Sequence, residues 1–450
     1  MAIGKYRWTI CGLLFFATTI NYLDRQVLSL LSPQLSQEFG WSNTDYANIT
    51  AMFQFVYAFS MLFAGRIVDK LGTKRGFILA IIIWSIGAIM HAYSVPMGAI
   101  GNNLLAMAGI AAIPVSVLGF MISRMILAIG ESGNFPAAIK ATAEYFPKKE
   151  RSFATGIFNS GANIGAILAP LTVPWIAEQW GWQTAFILIG AIGFIWLFFW
   201  HYFYDTPAQQ KRLSAAEAAY INDNPDELEQ TSATHNSISW LSLLGYRQTW
   251  AFACGKFITD GVWWFYLFWL PKFLNEQYGL SGKQLMLPLT VLYSMTMIGS
   301  IGGGWFPAYF INKGYAAYDG RLRAMLVIAL FPLLVLLAQP LGHYGLWVPI
   351  ILIGIGASAH QAWSANIFTT VSDMFPRSSV ATVVGIGGLA GGMGGVVVSK
   401  VGGWLFDHYN ALNALQTGYA IMFGFCSLAY VVAWCVIKLL VPRYKPVTLG

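Results

Sequence analysis

Charge is what this chain of 450 residues has least of: Asp, Glu, Lys and Arg make up only 10% of it. A soluble domain carries about 25%. The chain is also 57% hydrophobic, so it cannot cover itself with a polar surface. That excludes a water-soluble globule and makes lipid its main solvent. Cysteine is scarce too. Cys11, Cys254, Cys426 and Cys435 each lie in an apolar run. They have no metal-ligand spacing and suggest no disulfide framework, so they read as small hydrophobes. No metal constellation and no nucleophile–base arrangement is present, so neither an enzyme nor a bound cofactor is expected. No cleavable leader stands out, because the first apolar run, 8–31, is too long and lacks a small-residue cleavage site. A non-transporting sensor would add a soluble signalling domain, and none is seen.

Long apolar runs are what the chain does have. Aromatics reach 16%, with 18 Trp, as expected where Trp and Tyr gather at bilayer interfaces. Apolar stretches read as spans near 8–31, 47–66, 77–95, 112–135, 152–175, 183–203, 250–271, 285–310, 324–341, 346–370, 380–403 and 417–440. Residues 95–120, uncharged and rich in Gly and Ala, read as a long outer loop dipping into the interface. The Lys and Arg residues test this count. Placing both termini in the cytoplasm puts 20 of the 26 on the inner side, three on the outer side and three within helices. So lopsided a split supports an even number of spans in that orientation. It also explains the net charge of +7 as topology, with no nucleic-acid partner implied.

The most polar stretch divides the chain. The expected organisation is a six-helix bundle over 1–204, a cytoplasmic linker over 205–246 and a second bundle with a short tail over 247–450. Within the linker, Ser214 and Glu217 have capping-box spacing and predict a short surface helix. The halves resemble each other. E-Y-F-P at 144–147 parallels D-M-F-P at 373–376, each followed by Gly-Ile and a Gly-rich helix, at an offset of 229 residues. The same offset sets Glu131 opposite His360. Repeated halves of this kind are a transporter architecture with its site between them near the midplane. Glycine-rich helices five and eleven read as close-packing surfaces. The run Gly385–Gly395 is no phosphate loop, since it lies in a span without the P-loop Lys.

The loop after the second span, G-R-I-V-D-K-L-G-T-K-R (65–75), resembles the motif of the major facilitator superfamily, with Gly65, Asp69, Gly72, Lys74 and Arg75 in place. Read physically, it is a gate: Gly65 permits close helix approach, and Asp69 can pair with a basic group or a helix end. More specific are N-Y-L-D-R (21–25), G-E-S-G-N-F-P-A-A-I-K (130–140), the run 144–166 and W-W-F-Y-L-F-W-L-P-K-F-L (263–274). Together they resemble the anion:cation symporter family and, within it, the bacterial hexuronate transporters. The resemblance covers almost the whole chain. It implies an all-α membrane protein of twelve transmembrane helices in two pseudo-symmetric six-helix bundles, acting as a monomer in the bacterial inner membrane. It further implies a proton-coupled symporter for a small organic anion such as galacturonate or glucuronate. An aldonate, aldarate or aromatic acid, and sodium in place of the proton, are the alternatives. Related sugar-acid symporters carry a substrate-contacting Asn in the eleventh helix, where this chain has G-I-G-G-L-A-G-G-M-G-G (385–395). Ala162 stands where an aldonate-type relative has Gln. Both departures point away from an aldonate.

A charge within a span costs a few kcal/mol and marks function by default. Arg25 can grip a carboxylate with two parallel hydrogen bonds, with Tyr22 and Tyr57 reading the sugar. Asn21, Tyr22 and Arg25 can share one helical face, whereas Asp24 points about 100° away. Asn159 and Asn163 flank Ala162 and can take over its contact. Arg124 and Glu131 lie seven apart on the fourth helix and are expected to pair across the bundle, Arg124 with Asp24 and Glu131 with Arg25. The resemblance implies Asp24 and Glu131 as proton carriers. Lys256 and Asp260, four apart, read as a structural pair. On the tenth helix His360 reads as a hydrogen-bonded histidine at the cavity. Gln361, Ser364 and Asn366 are candidate hydroxyl contacts, and Trp363 either stacks on the sugar or packs.

Overall fold

Long apolar runs can satisfy their backbone groups in lipid only by becoming helices. The computed structural model describes residues 4–222, 240–375 and 377–447, and among them there is no strand. Part of the linker, Pro376 of the second-half repeat and both chain ends lie outside the described residues. We number the long helices α1 (Tyr6–Phe39), α2 (Asn43–Leu71), α3 (Thr73–Met107), α4 (Val115–Tyr145), α5 (Lys148–Trp180) and α6 (Trp182–Phe203). The second half holds α7 (Arg247–Tyr278), α8 (Gly282–Ile311), α9 (Tyr318–Leu337), α10 (Trp347–Met374), α11 (Arg377–Ala411) and α12 (Leu415–Leu440). Ten of these contain a span that is long and apolar enough to cross a membrane. The other two, α1 and α7, are the helices that hold Asp24 and Arg25 and Lys256 and Asp260.

One expectation is corrected. Most of residues 95–120 is helical rather than a loop. Chain 73–107 continues through a 3-10 turn at His91–Tyr93, and only 108–114 separates it from α4. The helix persists there because a segment in lipid must satisfy its own backbone groups, and Asn102 ties it to the following turn by bonding Ile113 at 2.7 and 3.1 Å. The expected linker helix forms as Ala215–Asn222, with Ser214 Oγ accepting from Glu217 N at 3.1 Å. Glu217 in turn accepts from the backbone N–H of Tyr6 and Arg7, so the linker caps the N-terminus of α1.

Small residues set the seams. On α5, a side chain at Gly161 or Gly165 would collide with the Phe15 or Thr19 carbonyl of α1. On α11, Gly387 and Gly394 are crowded by Phe252 and Phe257 of α7. Two α11 glycines reach the first half, Gly392 against Ala58 and Gly403 against Ala47 of α2. Without a hydrophobic drive between helices in lipid, such close approach supplies the packing. The site therefore lies where α1, α2 and α4 face α7.

Candidate functional site

Arg25 stands near the middle of α1, with only 3% of its side chain exposed. It donates Nε and Nη2 to the same oxygen, Oε2 of Glu131, at 2.9 and 2.7 Å. Asn21 Oδ1 accepts from Nη2 at 3.3 Å, one turn away on the shared face. Four rings surround the guanidinium: Tyr22 at 4.6 Å, Tyr57 at 4.9 Å, Phe53 at 5.4 Å and Trp264 at 5.5 Å. Trp264 comes from α7, so the second half closes the cage. Cation–π contact stabilises the guanidinium while leaving its hydrogen-bond fork free to change partners.

Glu131 is fully buried. It ends the first segment of α4, which breaks at Ser132–Gly133 before resuming at Asn134. Its second oxygen, Oε1, has no hydrogen-bond partner. Asp24 is also buried, and neither of its oxygens has a partner. The expected Asp24–Arg124 pair is not formed. Arg124 instead donates both Nη atoms to the Arg25 backbone carbonyl at 3.2 Å and lies 5.3 Å from the Phe53 ring. A helical carbonyl has a second lone pair, and a buried guanidinium with no carboxylate in reach takes it.

The remaining sequence-derived residues divide. Asn163 is half-buried and Asn159 exposed on α5, turned away from the Gly161–Gly165 face. Gln361 and Ser364 are half-buried. His360 is buried, with Nδ1 2.9 Å from Tyr430 Oη and its ring stacked on Trp263 at 5.1 Å. Asn366 spends its amide N–H groups on the Gly303 and Ala362 carbonyls at 2.7 and 2.8 Å. Arg321 donates to its Oδ1 at 3.4 Å. Asn366 therefore belongs to the α8–α10 seam. Trp363 is fully buried beside Tyr430, which makes it a packing residue. Lys256 and Asp260 do pair, at 2.6 Å. Sequence reasoning missed Phe53, Trp264 and Phe268, whose ring lies 5.7 Å from the Arg124 guanidinium. Trp264 and Phe268 lie within the quoted 263–274 run but were given no role there.

The loop motif lies on the face that bears the chain termini. Gly72 joins α2 to α3 at φ +79°, a conformation that disfavours any side chain. Asp69 pairs with Lys140 of α4 at 2.9 Å. Lys74 pairs with Asp205 after α6 at 2.7 Å, and Arg75 is exposed. Thr73 donates to Glu144 at 2.6 Å, and Tyr204 donates to the same carboxylate. Burial pushes the Tyr204 hydroxyl well above its ordinary pKa, so it stays a neutral donor. Gly65 departs from expectation: nothing lies within 4 Å of a side chain placed there, so no helix approaches it.

Polar contacts between the halves concentrate toward the opposite face. Asp407 of α11 accepts from the N–H groups of Asn43 and Thr44 at 2.8 and 2.7 Å, at the positive end of α2. Tyr46 Oη donates to the Phe268 carbonyl at 2.6 Å, Lys400 reaches Asn48, and Lys283 meets Glu178 at 3.2 Å. A cavity of about 1040 Å³ opens on this face, lined in part by Leu31, Gln34, Lys272, Glu276 and Asp407. It stops short of Arg25, which is not among its lining residues. Replacing Asp407 with alanine removes two charge-assisted bonds of about 1.5–3 kcal/mol each. The population open on this face is expected to rise by on the order of tenfold or more. Spin labels on the α1–α2 and α11–α12 turns will read it as a longer distance, and an unchanged distribution rules out a latch.

Twelve long helices among the described residues, set in two halves, and a caged, charge-paired arginine are the features of a known class of carrier. The family model of the Major Facilitator Superfamily matches residues 14–399. The chain belongs to this superfamily. It is 30% identical over 437 residues to the hexuronate transporter of Escherichia coli strain K12, covering 97% of this chain and 95% of that protein. It is 31% identical to the galacturonate transporter of Dickeya chrysanthemi, over 79% of this chain and 96% of that one. Among solved structures it is similar to a D-xylose–proton symporter at TM-score 0.73 and 15% identity, covering 99% of this chain and all of that one. This superfamily member is thus a multi-pass membrane transporter rather than an enzyme.

Proposed function

We propose that the chain is a proton-coupled symporter that imports a hexuronate, galacturonate or glucuronate, across the bacterial inner membrane. The observation that carries this reading is the Arg25–Glu131 pair: a forked cation bound to a carboxylate whose other oxygen is free, inside an aromatic cage. A substrate carboxylate has the same shape and charge as the Glu131 carboxylate and competes for the same fork. The rings of Tyr22, Tyr57 and Trp264 suit the apolar face of a sugar. When the substrate takes Arg25, Glu131 loses the charge that keeps it ionised in a buried place and takes a proton instead. Asp24, buried and unpartnered, is the second proton carrier, so one or two protons accompany each anion. The relatives' names, hexuronate and galacturonate transporter, support the substrate.

Alternating access follows from rocking the halves about this site. With the termini in the cytoplasm, as the Lys and Arg distribution indicates, the face that carries the Asp407 contacts between the halves is external. Radiolabelled galacturonate and glucuronate are to be offered to proteoliposomes under an inward proton gradient, with and without sodium. Gradient-driven accumulation without sodium is expected. Accumulation only with sodium would refute proton coupling. Absence of uptake would refute the hexuronate and send the search to aldonates, aldarates and aromatic acids.

A further inference from the structure

On sequence spacing alone, Lys256 and Asp260 are a helical pair that neutralises itself. Their surroundings assign them more. Trp264, which roofs Arg25, lies one turn further along the same face of α7. Asp260 is therefore about 6 Å, and Lys256 about 12 Å, from it along the helix axis toward the termini face. Lys256 Nζ reaches back to the Asp260 carboxylate at 2.6 Å, so both head groups stand about one turn from Trp264, roughly the reach of a six-membered sugar ring from a carboxylate held at Arg25. The pair is held at 2.6 Å, yet 18% of the Asp260 side chain stays exposed. Lys256 Nζ also lies 4.2 Å over the Phe368 ring. Asp260 is the carboxylate that Lys256 bonds, and an ammonium has three donors.

The opposing wall explains the room around the pair. A side chain at Gly391 of α11 would collide with Asp260 Oδ2. One turn before Gly391 and one residue after it the strip reaches α2, with Gly388 near Met61 and Gly392 against Ala58. The pair thus stands beside the seam between the halves. The α11 stretch 385–395 offers it no polar side chain, so Lys256 and Asp260 supply the polar groups of that wall.

We infer that Lys256 and Asp260 are the second part of the substrate site, reading two neighbouring hydroxyls at the end of the sugar acid remote from its carboxylate. This rests on the sugar-acid reading of the Arg25 site. The chemistry is complementary: each hydroxyl both donates and accepts. One accepts from the Lys256 ammonium while its neighbour donates to the Asp260 carboxylate. The pair is neutral overall, so it receives a neutral diol without a change of charge. A second carboxylate at that end would meet Asp260 at close range, and like charges so placed are strongly disfavoured. The pair therefore selects sugar monoacids over diacids.

Counterflow exchange in proteoliposomes tests this. In the wild type, galactarate, which puts a carboxylate at the far end of the same carbon chain, will compete with labelled galacturonate at least about tenfold more weakly than galacturonate itself. Equal competition overturns the inference, and this arm needs no variant to fold. The double variant Lys256→Gln/Asp260→Asn removes both charges and strands neither. Its KM for galacturonate will rise roughly tenfold, its maximal exchange rate will hold, and the galacturonate preference will shrink. Unchanged KM and preference overturn the inference. The charge swap Lys256→Asp/Asp260→Lys keeps an ion pair but reverses its order along the ring. A purely structural pair recovers wild-type KM, which overturns the inference, whereas a hydroxyl-reading pair does not. If the wild type exchanges no hexuronate at all, the sugar-acid reading itself has failed, and this inference with it. That outcome is visible before any variant is compared.

Discussion

Replacing Arg25 with alanine will lower the affinity for the sugar acid by on the order of 100- to 1000-fold. The guanidinium is ringed by Tyr22, Tyr57, Phe53 and Trp264 within 5.5 Å of its Cζ. Truncating one partner of a buried, hydrogen-bonded charge pair costs about 2–5 kcal/mol, a range that brackets the stated loss at about 1.4 kcal/mol per tenfold. Lysine at this position keeps the charge but not the fork. Arg25→Lys is therefore expected to fall between wild type and Arg25→Ala. Equilibrium binding to purified protein checks both, with tryptophan fluorescence from Trp264 as a natural reporter. Near wild-type binding by Arg25→Ala would move the anion site elsewhere. Arg124 would not then inherit the role, because its Nη atoms are committed to the Arg25 carbonyl.

Replacing Glu131 with glutamine will separate binding from energy coupling. Glutamine keeps the size and an acceptor for Arg25 but cannot exchange a proton at pH 7. Proton-driven accumulation is expected to fall by on the order of 10- to 100-fold, the scale of a typical coupling free energy between two ligands. Counterflow exchange, which needs no net proton movement, will persist. Substrate affinity will also lose its dependence on pH in the range where wild type shows it. The buried, unpartnered Oε1 of Glu131 is the structural ground for this expectation. If Glu131→Gln accumulates substrate like wild type, Glu131 is only the resting partner of Arg25. Asp24, whose oxygens are equally buried and unpartnered, would then carry the proton, and Asp24→Asn would show the uncoupled phenotype instead.

Much of this was legible in the chain because the bilayer reduces the choices. Apolar length forces helices, and the scarcity of charge makes each intramembrane ion conspicuous. Asp24, Arg25, Arg124, Glu131, Lys256 and Asp260 could be picked out one by one for that reason. Helical spacing also put Asn21 and Arg25 on one face and Lys256 next to Asp260, since a pair four apart shares its surroundings. The 95–120 stretch went astray as a loop because Gly and Ala weaken a hydropathy signal without breaking a helix. The break at Ser132–Gly133 inside α4 was hidden for a similar reason: an apolar run reads the same whether its helix is continuous or interrupted.

By itself, then, the sequence determined that this chain is a two-halved helical membrane protein of the major facilitator type, with an arginine and carboxylates inside its first half. Which charge meets which was left to the tertiary structure. Arg25 and Glu131 are 106 residues apart, and Arg124 had two acceptors open to it, Asp24 and a backbone carbonyl. Only the helix crossings chose the carbonyl, leaving Asp24 alone, and only the approach of α7 set Trp264 over Arg25 with Asp260 one turn below. Periodicity states the direction in which a side chain leaves its own helix. The identity of what it meets depends on how closely the next helix can come, and here that is set by glycines on helices far away in the chain.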